Sequence, residues 1–303
     1  EIGLGIPAEP LFRSRSLDDN KGFPVCRMTI DLTKKVDSMA AYDDNRIILG
    51  ARDELQILDC SKKSITKLSS EHKGRINCVI KLSNGEIVTA GQDKTIKVWK
   101  IDSSSSLMTL EGHKSMIWCL NEIKGNKVIT GSSDNTAVVW DLSAKKKDFE
   151  LFKDKEISVA LQLKTGNVLL CSANKLILFE LDSKKQLTSL EIKPGVWSIK
   201  ELTDGTVAAG YGNGDVAILE VGNEIKVKTI LKGHKKTVNG IIELGNHKLV
   251  TASDESHMIL WDLSDPESKY FVEGHTDNIS CLAYLGGTRF ASSSLDNTLK
   301  VWE

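Results

Sequence analysis

Short runs of alternating apolar and polar residues recur along almost the whole chain. In one unit Arg75–Leu82 (RINCVIKL) alternates, Ser83-Asn84-Gly85 interrupts it, Glu86–Ala90 (EIVTA) follows, Gln92-Asp93-Lys94 interrupts again, and Thr95–Trp99 (TIKVW) closes. A period of two with β-branched enrichment, broken by turn residues, predicts strands. Inner turns of the same kind stand at Asp43-Asp44-Asn45, Lys124-Gly125-Asn126, Lys164-Thr165-Gly166, Thr203-Asp204-Gly205, Gly245-Asn246-His247 and Gly286-Gly287. No window carries a useful helical stripe.

The units are evenly spaced. Their third strands end at Leu58, Trp99, Trp140, Phe179, Leu219, Trp261 and Trp302, with steps of 41, 41, 39, 40, 42 and 41 residues. A fixed period near 40 decides the architecture, because each unit must bury its apolar face against the next. A fourth short strand precedes the next unit at Ile65–Leu68, Leu107–Leu110, Asp148–Phe152, Leu187–Glu191, Lys226–Leu231 and Lys269–Val272. That gives six fourth strands for seven units. Cys26–Leu32 (CRMTIDL), ahead of the first unit, is expected to supply the seventh by pairing beside Thr298–Trp302. The ring then closes and no sheet edge is left at the seam.

The best-kept unit runs from Gly112-His113 to Trp140-Asp141 and contains GSSDNTAVVWD (Gly131–Asp141). A Gly-His…Trp-Asp signature at this period resembles that of the WD-repeat β-propellers. The resemblance covers roughly residues 26–303, with four units strong and three degenerate. It implies an all-β fold: a seven-bladed β-propeller of four-stranded antiparallel blades, with the N-terminal strand closing the last blade. Residues 1–25 are read as an irregular lead-in, in which Ser16 of Arg13-Ser14-Arg15-Ser16 is a candidate kinase site.

The resemblance also implies a buried network of His, Ser/Thr, Asp and Trp inside each strong blade. The sequence supplies His72, Thr89, Asp93 and Trp99; His113, Thr130, Asp134 and Trp140; and His275, Ser292, Asp296 and Trp302. In all three sets His precedes Trp by 27 residues and Asp precedes it by 6. In the sixth unit His234, Thr251 and Trp261 are in place, while Asp254 and Glu255 compete for the carboxylate role. The first, fourth and fifth units lack the set and are expected to rely on apolar packing. A hydroxyl, an imidazole and a carboxylate also make a hydrolase constellation. Repetition at constant spacing and a hydroxyl capped by Trp argue for a structural role, so no catalytic residue is assigned. One paired His per blade is no zinc pattern either, so no metal and no cofactor are expected.

Composition adjusts this picture little. The chain has 303 residues, a formal net charge of -1 and a pI near 6.7. Such a balance gives no drive toward nucleic acid or an anionic membrane. No run of roughly 18 apolar residues is present for a spanning helix. The start, EIGLGIPAEP, lacks a secretory pattern and lacks Met, which reads as a domain cut from a longer protein. Cys26, Cys60, Cys78, Cys119, Cys171 and Cys281 form no C-x-x-C pair. Their spread points to a reduced, intracellular and cytoplasmic setting.

In the family, partners sit on the face carrying the fourth-to-first and second-to-third strand loops. One position per blade follows the first apolar residue of the first strand: Asp37, Asn77, Trp118, Ser158, Trp197, Asn239 and Ser280. Another precedes the turn carboxylate: Arg52, Gln92, Ser133, Ala173, Gly212, Asp254 and Leu295. Trp118 and Trp197 are the two tryptophans that end no third strand, and aromatic residues are enriched at interfaces. The candidate partner-binding set is therefore Trp118, Trp197, Arg52, Arg75, Asn77, Gln92, Ser158, Tyr211, Asn239, Asp254, Ser280 and Leu295. The loops nearby carry Lys73, Lys114, Lys153, Lys155, Lys193, Lys232, Lys235 and Lys236. They fit an acidic or phosphorylated partner, partly offset by Glu71, Glu111, Asp154, Glu156, Glu273 and Asp277. The expected function is a non-enzymatic, monomeric interaction scaffold for a protein or peptide. The alternative is a phosphopeptide-reading substrate adaptor of a ubiquitin ligase or kinase. An enzyme or a phosphoinositide binder is more remote, since no Arg-Arg pair is present.

Overall fold

The computed structural model describes residues 23–303, so Ser16 and most of the expected lead-in lie outside the described residues. The alternating runs form seven four-stranded antiparallel sheets, each strand paired with the next in sequence. Blade 1 is built from Val36–Ala41, Arg46–Ala51, Glu54–Asp59 and Ser64–Ser69, blade 2 from Ile76–Lys81, Ile87–Gly91, Ile96–Trp99 and Met108–Leu110, and blade 3 from Ile117–Ile123, Lys127–Ser132, Thr136–Asp141 and Lys146–Lys153. Blade 4 comprises Ile157–Gln162, Val168–Ser172, Lys175–Glu180 and Lys185–Glu191, blade 5 Val196–Glu201, Val207–Tyr211, Val216–Val221 and Ile225–Leu231, and blade 6 Val238–Gly245, Lys248–Ser253, Met258–Asp262 and Asp265–Val272. In blade 7, Ile279–Gly286, Arg289–Ser294 and Thr298–Trp302 are completed by Cys26–Asp31, which pairs antiparallel with Thr298–Trp302. Val25 and Glu303 exchange two backbone hydrogen bonds at 2.8 and 3.0 Å, and Leu32 N–H donates to Asn297 O at 2.7 Å. The ring is thus joined by ladder bonds between the two ends of the described chain.

Burial is graded along each blade. The second strands are buried apart from a half-buried first residue in four of them, and Ile87–Gly91 and Val168–Ser172 are buried throughout, because both faces meet neighbouring blades. The fourth strand Lys146–Lys153 is mostly exposed, which is why lysine and glutamate are tolerated there. The core is divided into seven apolar clusters, each seated between one pair of adjacent blades. Each cluster receives a buried apolar residue from the end of a third strand. Trp99, Trp140, Trp261 and Trp302 fill four of them. Phe179, Leu219 and Leu58 fill the others.

The smaller residues are compensated locally. Phe179 meets Phe152 of blade 3 edge-on with ring centroids 5.5 Å apart. The cluster between blades 4 and 5 that holds Leu219 also buries Tyr211. The expectation that Tyr211 extends an exposed patch is therefore corrected. It ends the wholly buried strand Val207–Tyr211, and burial pushes its phenol up to about 12.

Gly131 shows how closely the blades approach. A Cβ there would lie 2.5 Å from Ile157 Cγ2 of blade 4 and 2.7 Å from Cys119 Sγ. The described cysteines are all free thiols.

Deleting residues 23–32 would expose the Thr298–Trp302 edge and uncover Leu299 and Val301. The expected outcome is a melting temperature lower by several degrees together with concentration-dependent association, since an unpaired edge templates pairing between chains. Calorimetry and size-exclusion chromatography check it; an unchanged monomer with unchanged melting would contradict the closure role.

Candidate functional site at the mouth of the channel

The site is framed by the blade networks. In blade 3 His113 Nδ1 lies 2.8 Å from Asp134 Oδ2 and Nε2 lies 2.7 Å from Thr130 Oγ1, while Trp140 Nε1 donates to Thr130 Oγ1 at 2.8 Å. Blade 2 repeats this with His72, Asp93, Thr89 and Trp99 at 2.8, 2.7 and 2.9 Å. Blade 7 repeats it with His275, Asp296, Ser292 and Trp302 at 2.8, 2.7 and 2.8 Å. In blade 6 the carboxylate is Glu255 and not Asp254: His234 Nδ1 lies 3.0 Å from Glu255 Oε2 and Nε2 lies 2.8 Å from Thr251, on which Trp261 also donates.

Two further partners were not assigned from sequence. The carboxylate accepts from the backbone N–H after the histidine, at Lys73, Lys114 and Thr276. Its other oxygen accepts from the hydroxyl of the threonine two residues on, at Thr95, Thr136 and Thr298. The Asp-x-Thr spacing was the readable signal for that threonine. Each brace therefore ties the loop before the first strand to the turn between the second and third. Both belong to the face with the candidate site.

Blade 6 changes two members together. Where the others have threonine it has His257, which stacks on His234 at 5.7 Å and lies 3.7 Å from Glu255 Oε2. His234, Glu255 and His257 bring ligand-type atoms within 4.8 Å of one another. Both His234 nitrogens already face Glu255 and Thr251, so a metal there would have to dismantle the brace.

Burial lowers the pKa of His113, His234 and His275, against the raising effect of their carboxylate partners. Burial would raise Asp134 and Asp296, but their hydrogen bonds outweigh it, and Asp296 is lowered to about 2. The pairs are thus neutral imidazole with carboxylate. An ionised carboxylate only accepts, so Nδ1 carries the proton, Nε2 accepts from the hydroxyl, and the hydroxyl oxygen accepts from the indole.

At the inner end of every blade the ladder slips at one residue of the first strand. The irregularities fall at Asp37, Asn77, Trp118, Ser158, Trp197, Asn239 and Ser280. A β-bulge re-aims a side chain out of the ladder, here toward the channel mouth. Some of these side chains tie neighbouring blades. Asn77 Nδ2 donates to Ile117 O, Ser158 Oγ to Val196 O and Asn239 Nδ2 to Ile279 O, at 2.8, 2.9 and 2.9 Å.

Trp118 and Trp197 make no such tie and remain 37% and 57% exposed. Trp118 is held by donation of its Nε1–H to Ser133 Oγ at 2.6 Å. Trp197 lies over Gly212, where a Cβ would meet its Nε1 at 3.2 Å.

A cavity of about 360 Å³ at this mouth brings together Arg75, Asn77, Trp118, Trp197, Asn239, Asp254, Ser280 and Leu295 from the sequence-derived set. It also takes in Lys35, Asp37, Thr237, Asn278 and Ile279. Lys35, Thr237 and Asn278 hold the place just before the first strand that Arg75 holds in blade 2, a repeat position that could have named them. Arg52, Gln92, Ser158 and Tyr211 do not line it. Arg52 and Gln92 are exposed nearby, Ser158 is half-buried, and Tyr211 is in the core. The loop residues Lys73, Lys114, Lys153, Lys155, Lys193, Lys232, Lys235 and Lys236 are all exposed around it.

The family model described as "WD domain, G-beta repeat" matches residues 62–100, 104–141, 225–262 and 266–303, together about half of the chain. The chain belongs to this family, whose members are generally interaction scaffolds without catalysis. The four matches end at the four tryptophan-bearing blades. The chain is 24% identical over 277 residues to the apoptotic protease-activating factor 1 of Homo sapiens, covering 86% of this chain and 21% of that protein. It is 30% identical over 74 residues to the F-box/WD repeat-containing protein sel-10 of Caenorhabditis elegans (24% of this chain, 12% of that protein). It is 28% identical over 111 residues to the DDB1- and CUL4-associated factor 10 of Xenopus tropicalis (36% of this chain, 24% of that protein). These alignments span about a quarter or less of each relative's length. The WD40 beta propeller domain of Doa1 superposes with a TM-score of 0.82 at 19% identity, over 92% of this chain and 97% of that one. That likeness defines the fold.

Thr130→Val would leave the His113 and Trp140 ring nitrogens buried without their partner. The expected loss is about 2–4 kcal/mol in urea denaturation; a loss within error would remove the brace. Lowered histidine pKa values mean that the unfolded chain binds protons first as pH falls. Stability contributed by His113, His234 and His275 is full above pH ~6.5 and is lost as pH drops through 6.5 toward the lower folded values. The melting temperature should fall between pH 7.5 and 5.5; a rise would show that the folded histidines are charged.

Proposed function

We propose that this propeller is a non-enzymatic scaffold that holds a partner peptide or protein against the channel mouth, as the recognition part of a larger intracellular protein. The observation that supports the reading is the pair Trp118 and Trp197, which occupy bulge positions, tie no blade, and line one cavity. Large aromatics fixed at an exposed concave rim are the residue type that anchors interfaces. The hydroxyl, imidazole and carboxylate sets favour scaffold over enzyme, because each hydroxyl is closed off by an indole inside a blade.

A second reading, substrate adaptor of a ubiquitin ligase or kinase that reads phosphopeptides, draws on two relatives whose names carry "F-box" and "CUL4-associated". The exposed lysines around the mouth fit the acidic partner that this reading needs.

Peptide-array binding with wild type and a Trp118→Ala/Trp197→Ala variant tests the site. The double variant should lose about tenfold or more in affinity, roughly 1.4 kcal/mol, with its melting temperature unchanged. Equal binding by the two proteins would sink the assignment.

A further inference from the structure

The brace of blade 6 leaves two ligand-type atoms over. In blades 2, 3 and 7 the second carboxylate oxygen accepts from the hydroxyl of Thr95, Thr136 or Thr298. His257 takes that place in blade 6. Among the described residues, the hydrogen bonds to the Glu255 carboxylate both fall on Oε2, from His234 Nδ1–H at 3.0 Å and the Lys235 backbone N–H at 3.3 Å. Oε1 accepts none. His257 Nε2 is buried without a hydrogen-bond partner, 3.7 Å from Glu255 Oε2. A buried nitrogen left unpaired is unfavourable and asks for an explanation. One paired histidine per blade argued against a metal, but blade 6 sets a second imidazole beside the first.

One ligand atom from each of His234, Glu255 and His257 lies within 4.8 Å of the others. Two atoms bound about 2.1 Å from one zinc at the tetrahedral angle are about 3.4 Å apart. The distances of 3.0 and 3.7 Å from Glu255 Oε2 to the two imidazoles bracket that spacing. Two imidazoles and a carboxylate suit zinc and its neighbours, whereas calcium and magnesium take oxygen ligands. A metal opens the brace as it stands, and the same atoms supply a replacement. The Nδ1 proton of His234 passes to Nε2, so the ring stays neutral. Nε2 then donates to Thr251 Oγ1, which still accepts from the Trp261 indole. The hydroxyl proton turns to Ile259 O, 3.5 Å away. A hydroxyl has two lone pairs and one proton, so all three partners are met. Thr251 becomes the outer partner that orients a ligand imidazole.

We propose that His234, Glu255 and His257 form a binding site for a zinc-class divalent ion, which staples the loop before the first strand of blade 6 to the turn after its second. The His257 side chain is 26% exposed, so the ring can turn toward the ion and the ion has a way in. The site goes beyond the interaction-surface reading and holds whatever the mouth binds. It bears on the mouth through Asp254, the neighbour of Glu255, which lines the cavity. A staple at Glu255 fixes that wall.

The test titrates tag-free chain, stripped with EDTA and dialysed, with zinc chloride against a chromophoric chelator, and with cobalt(II) chloride to read visible absorption. The wild type should take one zinc ion per chain and give the strong cobalt bands of a tetrahedral site, and calcium or magnesium should not compete. His257→Thr restores the residue of the other braced blades. It should weaken zinc binding by about tenfold or more, since even the outer partner of a ligand is worth that much. His247→Ala and Cys26→Ser, at exposed positions outside the cluster, should leave binding as it was. Zinc should raise the melting temperature of the wild type by several degrees and leave that of His257→Thr where it stood. Equal zinc affinity of wild type and His257→Thr, binding lost with His247→Ala or Cys26→Ser, or no binding at all overturns the site. If His257→Thr fails to fold, the wild-type cobalt spectrum decides: weak bands of the hydrated ion overturn the proposal, and strong tetrahedral bands support it.

Discussion

A single buried hydroxyl organises each braced blade. Thr89, Thr130, Thr251 and Ser292 are fully buried and sit between an imidazole and an indole. The carboxylate fixes the imidazole proton on Nδ1, so the hydroxyl has one orientation that satisfies both neighbours. Four separate pieces of chain meet there: the loop before the first strand, the second strand, the turn after it, and the third strand. Because the loop and the turn both reach the mouth, the brace that stabilises the blade also sets the shape of the surface above it.

The ring tolerates blades without this device because the seven clusters do most of the joining. Phe179 packs on Phe152, and Leu219 and Tyr211 share the cluster between blades 4 and 5, where no indole is present. Apolar packing has no donor order to satisfy, so such positions accept Leu, Phe or Tyr. The polar network is less forgiving, and blade 6 shows how it changes. Glu255 is longer than Asp, and the residue two places on changes with it, from a threonine to His257 stacked on His234. A single change would have left the carboxylate or the imidazole poorly placed.

The period, the closure by Cys26–Asp31 and the members of the brace were all legible in the sequence, because each is a repeated relation between residues a fixed distance apart. The choice of Glu255 over Asp254 was not, since neighbouring carboxylates differ only in which way the strand turns them. Tyr211 misled for a related reason. Its offset within the unit suggested the mouth, yet its ring is buried in the apolar cluster between blades 4 and 5. Asp37 stood in the right register, but its burial beside Lys35, Arg52 and Arg75 depends on how blades 1 and 2 meet. A bulge is likewise a relation between two strands, invisible in either one alone.

That bulge explains why the mouth can carry function at all. A residue pushed out of register contributes little to its own ladder, so the sheet places few demands on its side chain. Blades 2, 4 and 6 use the position for a tie to the next blade. Blade 1 makes its tie one residue later, from Ser38 to Ile76 O, and blade 5 does the same from Ser198 to Val238 O. In blade 3 the tie has moved further along, to Asn121 Nδ2 on Ala160 O at 2.6 Å. Moving the tie releases Trp118 and Trp197 from structural duty at the cavity rim. In blades 1 and 6 the same register holds Asp37 and Asn239, which line the cavity that the tryptophans border. Stability and recognition are thereby written on different residues of the same short strands, and the positions that the fold leaves free are the ones that converge on the channel.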